Sequence, residues 1–272
     1  MSEMDVSADF GANIERFTGF AGDYDRFRPA PETKLADLLL QIAGNPSPFL
    51  IVDLGSGTGL ATRFWGRYGK AVIGIEPNDE MRKLAEAQAG NNVYYRAGFA
   101  HATGLSNDCA DMVTCNQALH WMEPESTFKE VHRLLKKGGL FAACDYDWPP
   151  VTGDWQVDEM YKHCMELGRR LEQEQGHADR LVRYSKDGHL GRMEASSLFA
   201  HTREIAIDQI DEGNAERLVG LLLSQGHTQT LLKHGASEQD LEIDQLRRLA
   251  DERLGPEMQR WYWTLRIRVG IK

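Results

Sequence analysis

The chain has no apolar run near the ~20 residues that a bilayer-spanning helix needs. Its first residues, Met1-Ser-Glu-Met-Asp-Val6, are acidic and hold no apolar h-region. These absences argue against membrane and secreted classes, so the expected location is the cytoplasm. Cysteine is scarce: four residues, at 109, 115, 144 and 164, form no Cys-x-x-Cys pair and match no zinc spacing. Reduced, mostly buried thiols and no metal site are expected. Cys115 and His120 would suit a nucleophile and its base by residue type, but such a pair is common by chance and is not adopted. Positive charge is short as well: 31 Lys and Arg stand against 41 Asp and Glu, a net charge of -10. That balance does not build the basic footprint of a nucleic-acid-binding surface. Repeats and low-complexity linkers are missing too, so no independent second domain is expected.

What is present is a regular alternation. Helix-like periodicity over Glu32–Ala43 is stopped by Gly44-Asn-Pro-Ser-Pro48. Strands are predicted at Phe49–Leu54, Ala71–Ile75, Val93–Arg96, Ala110–Cys115 and Leu140–Cys144. Helices are predicted at Leu60–Tyr68, Asn78–Ala89 and Ser126–Leu135, the second capped by Asn78. This order over 33–145 implies βαβ units on a parallel sheet with helices on both faces. The remainder reads differently: a helix at Trp155–Gln175, a strand at Phe199–Ile207, helices over 214–254 broken near Gly226 and Gly235, and a last strand at Trp261–Val269. The two late strands suggest an antiparallel C-terminal edge. The expectation is one domain over 1–272, with a core of 33–145, 155–210 and 258–272, an N-terminal arm at 1–30 and a helical cap at 211–257. Trp261 and Trp263, at strand spacing, are read as packing on one face. Arg217 and His227 in the cap are read as surface residues.

Chemistry concentrates at Asp53-Leu-Gly55-Ser-Gly57-Thr-Gly59, between a strand and a helix. Glycines let backbone approach a ligand closely, and the helix start behind them offers unpaired N–H groups. Glu76 ends the next strand, where a carboxylate can accept from two ribose hydroxyls. The loop is not a Walker A motif, because it lacks Gly-Lys-Ser/Thr.

These residues resemble the class I S-adenosylmethionine (SAM)-dependent methyltransferases. Val52-Asp-Leu-Gly-Ser-Gly-Thr-Gly59 resembles that family's first motif and Glu76-Pro-Asn-Asp-Glu-Met81 its second. Asp111-Met-Val113 with Asn116-Gln-Ala-Leu-His-Trp121 resembles the fourth-strand region, and Glu130–Gly139 its E-x-x-R-x-L-K-P-G-G segment, with Lys137 in place of the proline. Tyr24–Pro29 together with Ala118, His120 and Trp121 is similar to small-molecule methyltransferases of the trans-aconitate type. The resemblance implies a Rossmann-like, doubly wound, mostly parallel seven-stranded sheet.

It also implies SAM as cofactor and S-adenosylhomocysteine as product. The methionine part would be held by Asp53 and the Gly55, Ser56, Gly57, Thr58 and Gly59 backbone, the ribose by Glu76 beside Pro77, and adenine by Met81. An acid that often follows the third strand is absent, which leaves Phe99 and Ala100 to meet adenine by packing and backbone. Asn116, Gln117 and Ala118 join the cofactor site. Tyr24 and Arg28 from the arm would lie near the SAM carboxylate or over the pocket mouth, with a solvated surface charge the other reading of Arg28. His120 is a base, a positioning group or a packing residue; Trp121 faces the sulfonium or forms a pocket wall. The Asn/Asp-Pro-Pro-Tyr motif of amino methylation is absent, which with the acidic charge favours a small-molecule acceptor reacting through oxygen. A monomer or homodimer is expected. Two alternatives stay open: a non-catalytic SAM-binding protein, and an NAD-dependent oxidoreductase, whose G-x-G-x-x-G/A fingerprint would need Leu60 in the third glycine place.

Overall fold

The computed structural model describes residues 10–272; the acidic first residues, and the start of the arm, lie outside them. The chain divides into two compact units. One comprises 30–146, 182–207 and 265–272; the other comprises the arm to Pro29, 147–181 and 208–264.

The first unit carries the alternating elements. Helix α3 (Thr33–Ile42) precedes β1 (Leu50–Leu54), α4 (Leu60–Trp65), β2 (Ala71–Ile75), α5 (Asp79–Ala87), β3 (Val93–Arg96), β4 (Ala110–Asn116), α6 (Pro124–Leu134) and β5 (Leu135–Tyr146). Helix α8 (His189–Ala195) follows later. Strands β1 to β5 pair in parallel. With β6 (His201–Gly213) and β7 (Gln259–Ile271) the sheet has seven strands in the order β3-β2-β1-β4-β5-β7-β6. Strand β7 runs antiparallel to β5, pairing Leu140 with Ile271 through to Tyr146 with Leu265. The mostly parallel sheet with an antiparallel C-terminal edge agrees with the sequence reading.

Parallel strands buried on both faces read as continuous apolar runs, and β1 shows it: Ile51 through Leu54 are all buried. Val52, Leu54, Val113, Phe141 and Ala143 from three strands close a core with Phe128, Val131 and Leu134 of α6. At the start of β1, the Asp111 carboxylate accepts from Phe49 and Leu50 N–H at 2.7 and 2.9 Å and pairs with Lys136. Asp111 therefore ties β1 to β4 at the end of the strands away from the glycine loop. Strand β5 starts five residues earlier than its apolar run suggests. Ala110 pairs with Leu135, and Gly138 and Gly139 bond the Lys272 backbone, which draws Lys136–Gly139 into the sheet.

The second unit is helical. Helix α1 (Gly11–Glu15) and α2 (Ala21–Phe27) form the arm; α7 (Trp155–Glu174), α9 (Ala215–Leu223), α10 (Gly226–Lys233) and α11 (Ile243–Arg253) pack together. So α7 belongs to the helical unit, whereas the sequence reading placed it with the core. Trp261 and Trp263 are buried, as their spacing suggests. His227 corrects the surface reading: it is buried against Gly168 of α7, a contact that sequence spacing does not reveal. Arg217 pairs with Asp211 at 2.7 Å. Arg16 and Glu172 form a buried bidentate pair that anchors the arm to α7.

Candidate functional site

The glycine loop sits where β1 ends and α4 begins, outside the carboxyl ends of the parallel strands, the usual ligand side of such sheets. Gly55, Gly57 and Gly59 all take positive φ, at 65°, 55° and 87°. They differ in surroundings. A side chain at Gly55 would start 2.7 Å from Ala118 and Met122, and one at Gly59 would collide with the Tyr95 hydroxyl. Gly57 faces open space. The first and third glycines thus allow the loop to pack, and the second leaves a surface bare. Beside it, Ser56 Oγ and Thr58 Oγ1 are buried without a hydrogen-bond partner among the described residues. Buried polar groups are normally paired, which sets these two hydroxyls apart.

Two buried carboxylates frame the loop. Asp53 accepts from Thr62 Oγ1 at 2.7 Å, Thr114 Oγ1 at 2.8 Å and Asn116 Nδ2 at 3.1 Å. Burial pushes its pKa up to about 6 against the pull of those three donors. Its oxygens are met from inside the fold, so Asp53 braces the loop and fixes Asn116. Glu76 accepts from Gly57 N–H and Asn78 N–H, both at 2.8 Å. Burial pushes it up to about 7, opposed by those two N–H groups and Arg82. A carboxylate this desolvated is ready to gain from further hydroxyl donors. Asn78 accepts from Met81 N–H at 3.0 Å, which caps α5 and buries Met81. Pro77 lies between the two.

Beyond β3, Phe99 stacks on His101 and is half-buried, whereas Ala100 belongs to the core. This loop is held from α6. Glu130 accepts from Thr103 N–H at 2.9 Å and Thr103 Oγ1 at 2.6 Å, and pairs with Arg133. The Glu-x-x-Arg spacing is therefore a clamp on the loop that carries Phe99.

After β4 the chain turns through Gln117, whose φ is 54°, into the short helical turn Leu119–Trp121. His120 is buried, its Nδ1 3.7 Å from Asp145 Oδ1 at the end of β5. Asp145 also meets Lys186 at 2.9 Å, Arg268 at 3.1 Å and His189 at 3.9 Å. Burial, with Arg192, Arg268 and Lys186 nearby, holds His189 down to about 4 despite Asp145. Tyr184 N–H donates to the His120 carbonyl at 2.8 Å, and Arg183 lies over Trp121. Sequence reasoning missed Asp145, Lys186, His189 and Arg268. An acid at the carboxyl end of β5 was the one signal available.

Cys115 is buried, and burial raises its thiol well above the usual range, which removes it as a nucleophile. Tyr24 and Arg28 lie in the helical unit. There the Arg28 guanidinium sits over the Tyr24 and Trp148 rings and donates to Ser224 Oγ, Ser224 O and Gln225 Oε1. Arg28 is thus a tether of the arm, which is a different state from a solvated surface charge.

A methyltransferase domain family matches residues 52–143, from the glycine loop to β5. Over residues 52–143, about a third of the chain, the sequence is similar to that methyltransferase domain family. An uncharacterized methyltransferase of Mycobacterium tuberculosis is 32% identical over 138 residues, covering 51% of this chain and 52% of that protein. The malonyl-[acyl-carrier protein] O-methyltransferase of Pectobacterium atrosepticum is 28% identical over 132 residues, covering 48% and 51%. The chain spans about half the length of the curated relatives it matches. Among solved structures, a candidate type II methyltransferase from Anaeromyxobacter dehalogenans superposes with a TM-score of 0.63 at 20% identity, covering 90% of this chain and 98% of that one. Haemonchus contortus phosphoethanolamine N-methyltransferase 2, solved with phosphomonomethylethanolamine and S-adenosylhomocysteine, gives 0.53 at 13% identity, covering 97% and 58%. These structural likenesses speak for the fold.

Proposed function

We propose that this chain transfers a methyl group from SAM to a small-molecule acceptor through an oxygen nucleophile, a carboxylate or a hydroxyl, releasing S-adenosylhomocysteine. The observation that carries this reading is the pairing of Glu76 with Gly57 N–H beside a glycine that faces open space. The pair offers a ribose-binding carboxylate and a bare backbone surface side by side. When bound, SAM supplies a methyl group already activated on a sulfonium. The protein's remaining tasks are to hold, orient and exclude water.

In this reading Glu76 accepts from the ribose hydroxyls. Phe99 and Met81 flank adenine, with the Ala100 backbone beside them. Ser56 and Thr58 donate their hydroxyls to the ligand, and Asn116, Gln117 and Ala118 line the methionine side. Asp53 works one step back, by fixing Asn116. His120 positions the acceptor, and Trp121 walls the site. A carboxylate acceptor needs no base, whereas a hydroxyl would lose its proton to His120. One similar protein is named an O-methyltransferase, which favours oxygen. A cytoplasmic monomer or homodimer goes with this reading; no helix among the described residues is long and apolar enough to cross a membrane.

Calorimetry with SAM and NAD, followed by turnover on a panel of small carboxylic acids, phenols and phosphorylated amines, tests the proposal. SAM should bind, NAD should not, and S-adenosylhomocysteine should accumulate with an oxygen acceptor. SAM binding without turnover across the panel would instead mark a sensor. His120→Gln should lower kcat by about tenfold at every pH for a carboxylate acceptor. A loss that appears only above about pH 6.5, where an imidazole is deprotonated, would make His120 a base.

A further inference from the structure

We propose that Lys186 is a positioning residue that turns the Gln117 amide so its N–H donors face the methionine carboxylate of bound SAM. The inference rests on the SAM reading above and names a part of that site which the sequence motifs do not supply.

Lys186 Nζ lies 2.8 Å from Gln117 Oε1 and 2.9 Å from Asp145 Oδ1. An ammonium only donates, so it must meet the oxygen end of the amide. This settles the two-fold choice that an amide normally leaves open. Gln117 Nε2 is therefore turned away from Lys186. It is buried and has no hydrogen-bond partner among the described residues. A buried amide donor left unpaired is costly, and a ligand oxygen would complete it.

The backbone is committed to the same arrangement. Gln117 holds a left-handed φ of 54°, a conformation that non-glycine residues adopt at a cost. Its N–H is fixed to Cys144 O at 2.8 Å. The next residue, Ala118, abuts Gly55, so the Gln117 turn lies directly against the glycine loop. A fixed cation behind the amide also strengthens its donors toward an anion. Asp145 is buried and shared with Arg268, which holds the lysine in place. Within SAM, adenosine carries no charge and the sulfonium is a cation; the carboxylate is the anion. Arg28, the residue that the family resemblance offers for that carboxylate, spends donors on Ser224 and Gln225.

The test compares two ligands by calorimetry: S-adenosylhomocysteine, which has the carboxylate, and 5′-methylthioadenosine, which lacks the whole amino-acid part. Lys186→Met and Gln117→Glu should each weaken S-adenosylhomocysteine at least about tenfold. Gln117→Glu keeps a partner for Lys186 but removes the donors. Both variants should hold 5′-methylthioadenosine within about twofold of wild type, which also reports that the fold is intact. Lys186→Arg, which keeps the charge and the donors, should recover most of the loss. Equal weakening of both ligands, or none, overturns the proposal. Failure of the wild-type protein to bind either ligand would sink the SAM reading itself, a separate outcome.

Discussion

Two corners of the unit that carries the parallel strands are built in opposite ways. The glycine-loop corner comes from one continuous stretch, β1 through α5. Asp53, Gly57, Glu76 and Met81 are brought together by two strands and their turns. The corner after β4 is gathered from distant segments: Gln117 and His120, Asp145 on β5, Lys186 and His189, and Arg268 on β7. The first is carboxylates met mainly by backbone N–H, hydroxyl and amide donors. The second is a buried carboxylate held by two cations. Under the proposed function, the contacts around the glycine loop are encoded locally, whereas those of the second corner depend on tertiary assembly.

The largest expected effect breaks the second corner. Asp145→Ala removes the carboxylate that Lys186 and Arg268 share, leaving Arg268 with Glu204 alone, and should cost about 3 kcal/mol, read as a fall in Tm. A loss under about 1 kcal/mol would reduce this cluster to a surface-type ion pair.

Next is Gly57→Leu in the first corner. The side chain would occupy open space, so it should cost the fold only about 1–2 kcal/mol for its left-handed backbone. Affinity for S-adenosylhomocysteine should drop by about 100-fold or more, near 2.7 kcal/mol. Intact binding would remove this face of the loop from the ligand site. In that outcome the contrast between packing glycines and a bare one would have no functional meaning.

The smallest effect concerns pH. Glu76 offers both oxygens as acceptors to two hydroxyls only when ionised, and burial pushes its pKa up to about 7. S-adenosylhomocysteine should therefore bind progressively more weakly as pH falls below 7, by up to about tenfold per unit. Stability should move the other way. The folded-state value lies above the unfolded one, so this group favours the fold below about 4.5 and loses that contribution as pH rises through about 7. Glu76→Gln should flatten both trends. A wild-type affinity that stays level between pH 6 and 8 would show that the ribose contact does not use this carboxylate.

Much of this was legible in the residues. The strands up to β5, the Asn78 cap and the glycine loop follow from apolar runs, capping chemistry and glycine spacing, all of which act within a few residues. Asp53 was found as a residue of the cofactor site. Its neighbours Thr62, Thr114 and Asn116 lie on three elements, and only folding shows that they fill its oxygens. The Glu130-x-x-Arg133 motif was visible as a pattern. Its work, clamping Thr103, depends on a loop that approaches α6 in space. His227 was read as a surface residue and Arg28 as a cofactor residue or a solvated charge; the helical unit holds Arg28 with Trp148 and Ser224, and His227 against Gly168.

The sequence by itself determined the sheet's parallel core, the turn that exposes Gly57 and the carboxylate that stands beside it. Those features rest on short-range sterics and hydrogen bonds, which the local residue order carries. Tertiary structure alone decided that Asp145 collects Lys186, His189 and Arg268, and that Gln117 turns one end of its amide to a lysine. A buried charge must find its partners wherever the folded chain can bring them, and nothing in the order of residues announces where that will be.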